Sequence, residues 1–182
     1  MSGEDASRAD ISIPGVQEEL VQALLDTGKP VVVVLMNGRP LTISKLTEQV
    51  PAIVEGWFLG TETGNAIADV LLGKYNPSGK LTMSFPRNVG QIPVFYNYRQ
   101  SGRPGTDKLT KWTNRFIDSP VSPLYPFGYG LSYTTFSYSA PRVSQKEFST
   151  NEILKVSVDV TNTGQYDGEE TIQLYIRDVI AS

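Results

Sequence analysis

From Val31 to Met36 the chain reads Val-Val-Val-Val-Leu-Met, with no polar alternation, as expected of a strand covered on both faces. Asn37-Gly38 supplies turn chemistry to end it, and Pro40 cannot continue a hydrogen-bonded interior strand. Upstream, Val16, Leu20, Ala23 and Leu24 recur at helical spacing between Pro14 and Asp26. Pro14 suits a first turn and Gly28 a terminus, so a helix is predicted there, packed on the strand that follows. Downstream, Leu41 to Ile43 reads as a short extended piece and Ala52 to Phe58 as a second buried strand, with a polar segment around Leu46 to Gln49 between them. Gly60 to Gly64 forms a turn, and Ile67, Val70 and Leu71 mark a short helix over Asn65 to Leu72, stopped by Gly73. This order predicts an α/β layer: a mostly parallel sheet with helices on both faces, as part of an α/β sandwich.

From Asn76 the pattern changes. Asn76-Pro77-Ser78-Gly79 is a turn, Lys80 to Phe85 alternates as a strand, and Asn97 to Pro126 is long and irregular, the kind of loop that is usually functional or linking. Beyond Tyr133 the signal is all-β: Thr135 to Tyr138, Ile153 to Thr161 and Thr171 to Ile176, with Asn162 to Gly168 joining the last two. Three strands fall short of the roughly seven of an immunoglobulin-like sandwich. The expected organisation is therefore an α/β domain portion over residues 1–118, a linker over 119–135, and an incomplete all-β, immunoglobulin or fibronectin-III-like sandwich over 136–182. On this pattern the chain is expected to be cut short at both ends.

The 182 residues are 40% hydrophobic and carry a formal net charge of −3, which offers no basic footprint for nucleic acid or an anionic membrane. Val31 to Met36 is far too short to span a bilayer, and the N-terminus does not read as basic then apolar, so no address is predicted within this chain. His and Cys are both absent. That excludes Ser-His-Asp and Cys-His machinery, thiolate zinc sites and His-ligated metals from this chain, and leaves chemistry to carboxylates, Lys, Tyr or hydroxyls. No Gly-rich phosphate loop follows either strand.

Several strings, taken in order, resemble one family: Ser2-Gly3-Glu4, Met36-Asn37-Gly38-Arg39-Pro40, Ala66-Ile67-Ala68-Asp69-Val70-Leu71, Asn76-Pro77-Ser78-Gly79-Lys80-Leu81, Phe85-Pro86-Arg87, Gln91-Ile92-Pro93, and the run from Tyr125 to Tyr133. Together they resemble glycoside hydrolase family 3, the β-glucosidase and β-xylosidase family. Val160-Thr161-Asn162-Thr163-Gly164 with Gln173-Leu174-Tyr175 resembles the fibronectin-type-III-like domain that closes many of these enzymes. The resemblance implies a retaining glycosidase acting on β-linked glycosides or oligosaccharides, without cofactor or metal. In it a separate N-terminal barrel carries the Asp nucleophile and this chain forms the C-terminal portion. It also implies a periplasmic or secreted parent, although nothing in this chain specifies a compartment.

One catalytic position carries over. The family's general acid/base lies in a Ser-Gly-Glu string upstream of an Asp-Ile-x-Ile-Pro segment, which here makes it Glu4; on sequence pattern alone, a Glu in a polar terminal segment is simply solvated. Arg8 and Asp10 are placed to orient Glu4 or a sugar hydroxyl, or to form a loop salt bridge. Trp57 could stack on a sugar, but its place at the end of an apolar strand favours core packing. Glu62 falls where the family often shows Gly-x-Glu-Gly-Gly, with Thr63 replacing a glycine. Arg99, Arg103, Lys108, Lys111, Trp112, Arg115 and Asp118 form a loop expected to rim a sugar site, with Trp112 and Arg115 as substrate contacts, or else to be a solvated basic loop. A different class of function, a non-catalytic carbohydrate-binding or structural module, fits the same elements.

Overall fold

The computed structural model describes residues 2–3, 5–99, 102–103, 105–106 and 112–178. The chain divides into two compact units: residues 1–67, 80–129 and 173–182 form the first, and residues 68–79 with 130–172 the second. The break between Tyr129 and Gly130 falls inside the expected linker, but each unit also takes a segment that contiguous boundaries would assign to the other.

In the first unit, β1 (Ser2–Gly3) pairs antiparallel with β2 (Ala6–Ser7) as a hairpin. Helix α1 (Gln17–Leu25) follows, with Glu18 and Glu19 in its first turn, where the helix dipole favours acids. Strand β3 (Val32–Leu35), helix α2 (Ser44–Gln49) and strand β4 (Ala52–Glu55) come next, and β3 and β4 pair in parallel, Val32 with Ala52 through Leu35 with Glu55. A further parallel bridge joins Ser12 to Thr42. Helix α3 (Thr63–Leu71) begins in this unit.

The core lies against this pair: Leu35, Ile43, Leu46, Val50 and Phe85 are buried together, with Val21, Leu25, Val33, Ile53 and Trp57 packed around them. Phe85 meets the Trp57 ring at 5.8 Å and the edge of Tyr125 at 6.3 Å between centroids. Gln91, itself buried, closes the Pro-rich stretch behind this core. Its Nε2 donates to the carbonyls of Pro120 (2.7 Å) and Ser122 (3.1 Å), and its Oε1 accepts from Arg87 N–H (2.6 Å).

Four expectations need correction here. The helix α1 turns Val21 and Leu25 to the core, while Val16, Leu20 and Leu24 stay 68%, 59% and 46% exposed. Both sets recur every four residues, so periodicity alone does not choose between them. The polar segment Leu46 to Gln49 belongs to α2, which hangs on Leu46, its one buried residue. Lys80 to Phe85 is not a strand: it bends at Thr82 and Met83 and touches Tyr125 to Tyr129 through Leu81 N–H to Tyr129 O, Gly128 N–H to Leu81 O and Phe85 N–H to Tyr125 O. Pro126 has no N–H to give, and Gly128 has a φ of +81°, so the ladder cannot run on. As for the sheet expected between two helical layers, two parallel strands are what the described residues contain.

The second unit is built on two short antiparallel pairs, β5 (Phe136–Tyr138) with β8 (Val160–Asn162) and β6 (Arg142–Val143) with β7 (Val156–Ser157). Between them the register slips by one residue, the signature of a bulge. Pro141 accounts for it, since it cannot donate to the ladder, and the gap is bridged instead by Ser139 Oγ accepting from Asp159 N–H (3.0 Å) and by Asp159 gripping Arg142 at 2.8 and 2.9 Å. The single strand expected over Ile153 to Thr161 is thus two. Asn76 holds this unit together, its Oδ1 accepting from Ser132 Oγ (2.9 Å) and Tyr133 N–H (2.8 Å) and its Nδ2 donating to Asp167 O (3.0 Å). Thr171 to Ile176 forms no strand, and Leu174 and Ile176 are exposed. Gln173 and Tyr175, of the first unit, pack instead: Gln173 donates to Gly128 O (3.0 Å) and the Tyr175 ring stands edge-on to Phe127 and Tyr96.

Replacing Phe85 with Ala should lower unfolding free energy by about 3–5 kcal/mol, read from urea denaturation followed by far-UV circular dichroism, because Phe85 is the largest side chain fully enclosed by the first unit.

Candidate functional site

Glu4 lies outside the described residues. Its neighbours do not: Gly3 pairs with Ala6 and Ser2 with Ser7, so the segment on either side folds as a hairpin. Beyond it, Asp10 accepts from Ser12 N–H at 2.9 Å, which holds the Asp10 carboxyl below its ordinary value, helped by the Arg8 guanidinium 3.5 Å away. Arg8 and Asp10 therefore meet, in the loop ion pair that their sequence separation allows.

What fixes this segment comes from the end of β3. Arg39 Nη1 donates to the Arg8 carbonyl at 2.6 Å, and Thr42 N–H donates to the Ile11 carbonyl at 2.9 Å. Arg39 is in turn held by Asn37, whose Nδ2 donates to the Arg39 carbonyl at 2.7 Å. Gly38 lets this turn sit flush, because a Cβ there would come within 2.7 Å of the Phe58 ring. The turn after β4 faces the same end: Gly56 N–H donates to Leu35 O at 2.8 Å, and Trp57 takes a φ of +49°. Both turns follow the carboxyl ends of parallel strands, where α/β sheets present their sites.

Glu55 closes β4. Its Oε1 accepts from Trp57 N–H at 3.0 Å, which secures the turn. Burial raises the carboxyl above its ordinary value, outweighing the Trp57 N–H and the Asn37 amide beside it. Glu55 Oε2 and Asn37 Oδ1 are both buried without a hydrogen-bond partner among the described residues.

Trp57 packs into the core on Phe85. Trp112, at a φ of +73°, is 69% exposed and carries the Arg103 guanidinium 5.7 Å from its ring centroid. Arg115 is exposed on the same loop, while Lys108 and Lys111 lie outside the described residues. Arg8 meets Asp10 and Arg39, and Trp112 meets Arg103. Glu62 accepts from Asn65 Nδ2 at 2.6 Å beside the start of α3. Among the described residues no group of three or more His, Cys, Asp or Glu could hold a metal, and no helix is long and apolar enough to cross a membrane.

Sequence reasoning treated Asn37 to Pro40 as a turn and missed Arg39 and Glu55. A signal existed for both: a cation inside a strand-ending turn, and a carboxylate closing an apolar strand.

Glu55→Gln should remove a pH dependence. A carboxyl raised on folding keeps its proton while the unfolded chain releases it, so wild-type stability is full below the ordinary value of 4.5 and falls as pH climbs from there through the raised folded value. Denaturation midpoints of wild type and Glu55→Gln should therefore diverge above pH 4.5, with the Gln variant gaining.

The family model described as "Glycosyl hydrolase family 3 C-terminal domain" matches residues 1–133. The chain is 55% identical to a periplasmic beta-glucosidase of Salmonella typhimurium, covering all of this chain and 24% of that protein. It is 51% identical to a beta-xylosidase of Formosa agariphila, covering 99% and 24% respectively. Among solved structures, a beta-glucosidase from Listeria innocua in complex with glucose superposes with a TM-score of 0.83 at 45% identity, over 91% of this chain and 23% of that one. The chain thus spans about a quarter of the length of the curated relatives it matches. On this evidence it belongs to glycosyl hydrolase family 3 and corresponds to a C-terminal portion of such a protein.

Proposed function

We propose that this chain supplies the acid/base half of a retaining β-glucosidase-type hydrolase, with Glu4 as the carboxyl that moves the proton. The reading is supported by one conjunction: Ser2-Gly3-Glu4 stands a few residues upstream of Asp10-Ile11-Ser12-Ile13-Pro14, within the stretch matched by the family model. A barrel belonging to the same parent protein supplies the Asp nucleophile and most of the sugar pocket. The substrate is a β-linked glucoside or related oligosaccharide, with Arg8, Trp112 and Arg115 as contributors from this side.

The chemistry needs two carboxyl groups roughly 5–5.5 Å apart. Glu4 gives its proton to the glycosidic oxygen as the bond to the sugar breaks and the barrel's Asp attaches to the anomeric carbon. Glu4, now ionised, then takes a proton from the water that displaces the Asp. With neither His nor Cys present, a carboxyl is the group suited to this exchange near neutral pH.

Two outcomes are expected. The purified 182-residue chain should not hydrolyse aryl β-glucosides, and turnover exceeding that of its Glu4→Gln variant would overturn the reading. In a polypeptide joining this chain to a family 3 barrel, Glu4→Gln should lower kcat about 10²–10⁴-fold on a substrate with a poor leaving group.

A further inference from the structure

The Arg39 side chain reaches across 31 residues of sequence to the Arg8 carbonyl at 2.6 Å, and its own backbone is pinned by Asn37 at 2.7 Å. Two turns stacked at the carboxyl ends of β3 and β4 carry this arrangement, with Glu55 securing the second turn through Trp57 N–H at 3.0 Å. A second tie, Thr42 N–H to Ile11 O at 2.9 Å, anchors the same segment three residues on. A bond from a guanidinium to a part-buried carbonyl is directional and charge-assisted. Arg8 stands immediately after the Ser2–Ser7 hairpin, so immobilising its carbonyl sets where that hairpin leaves the sheet end.

We propose that Arg39 is a positioning residue: it clamps the Arg8 carbonyl to the carboxyl end of β3 and thereby fixes the hairpin whose connection contains Glu4. The inference rests on the reading of Glu4 as acid/base, and it adds the device that gives that carboxyl a place. Arg39 touches neither substrate nor the reacting atoms in this account. It acts through the backbone of residues 6–11.

The test uses the protein that joins this chain to its barrel, with the variants Arg39→Ala, Arg39→Lys and Glu4→Gln. The specificity constant is measured across aryl β-glucosides of graded leaving-group acidity. A carboxyl out of place costs most where the leaving group needs a proton, so Arg39→Ala should lower kcat/KM at least about tenfold more for phenyl than for dinitrophenyl glucoside, in the same sense as Glu4→Gln. Arg39→Lys keeps a donor and should recover most of the difference. In parallel, hydrogen exchange over residues 5–9 should speed up about tenfold or more in Arg39→Ala, with β3 and β4 changed less than twofold. If Glu4→Gln shows the leaving-group signature and Arg39→Ala weakens all substrates equally or none, the positioning role is overturned and Glu4 stands. If Glu4→Gln lacks the signature, the reading of Glu4 fails, and exchange alone judges the clamp: unchanged rates over residues 5–9, or rates raised equally in β3, overturn it.

Discussion

Two parallel strands of four residues cannot hold together by their ladder alone, and the pairing of Val32–Leu35 with Ala52–Glu55 is what the first unit is arranged to protect. Parallel pairing needs a crossover, and here α2 makes it, returning the chain through Ile43, Leu46 and Val50, all buried. Phe85 arrives from far along the sequence to cap the same apolar face and is in turn braced by Trp57 and Tyr125. Because both strands end at one level, the turns that follow them lie together. The Arg39 clamp and the Glu55 brace are consequences of that parallel register.

The register also explains why Gly38 and Gly56 stand where they do. At Gly38 a Cβ would enter the Phe58 ring, and at Gly56 it would press on the Leu35 carbonyl at 3.1 Å. Two glycines let two turns touch, and contact between the turns brings Asn37 beside Glu55.

Much of this architecture could be read in the residues. The run of valines announced β3, Asn37-Gly38 its end, and the Ile53-Val54 pair the heart of β4. Helix α2 could not be read, because its six residues carry one buried apolar side chain, and a single anchor has no period. The orientation of α1 was hidden for the opposite reason: Val16, Leu20 and Leu24 make as good a stripe as Val21 and Leu25, and only the packed core distinguishes them. In the second unit, alternation over Ile153 to Thr161 was genuine, yet Pro141 on the partner strand broke it, a cause outside the window being read. The motif containing Glu4 was visible in sequence, whereas the clamp was not, since its two ends lie 31 residues apart.

Glu55 is the carboxyl that burial most clearly disturbs, and a raised carboxyl in a site is the usual mark of a general acid. Its contacts assign it otherwise. Oε1 is committed to a backbone N–H two residues on, which stabilises a turn whose next residue, Trp57, has a positive φ. Oε2 is buried beside an amide rather than directed at open space. A carboxyl that must release and recover a proton each cycle needs access to substrate and water, and Glu55 has one oxygen committed to a backbone N–H and the other buried. The perturbation of Glu55 therefore belongs to the scaffold: it comes from burial at the end of β4, where the carboxyl serves the turn that follows.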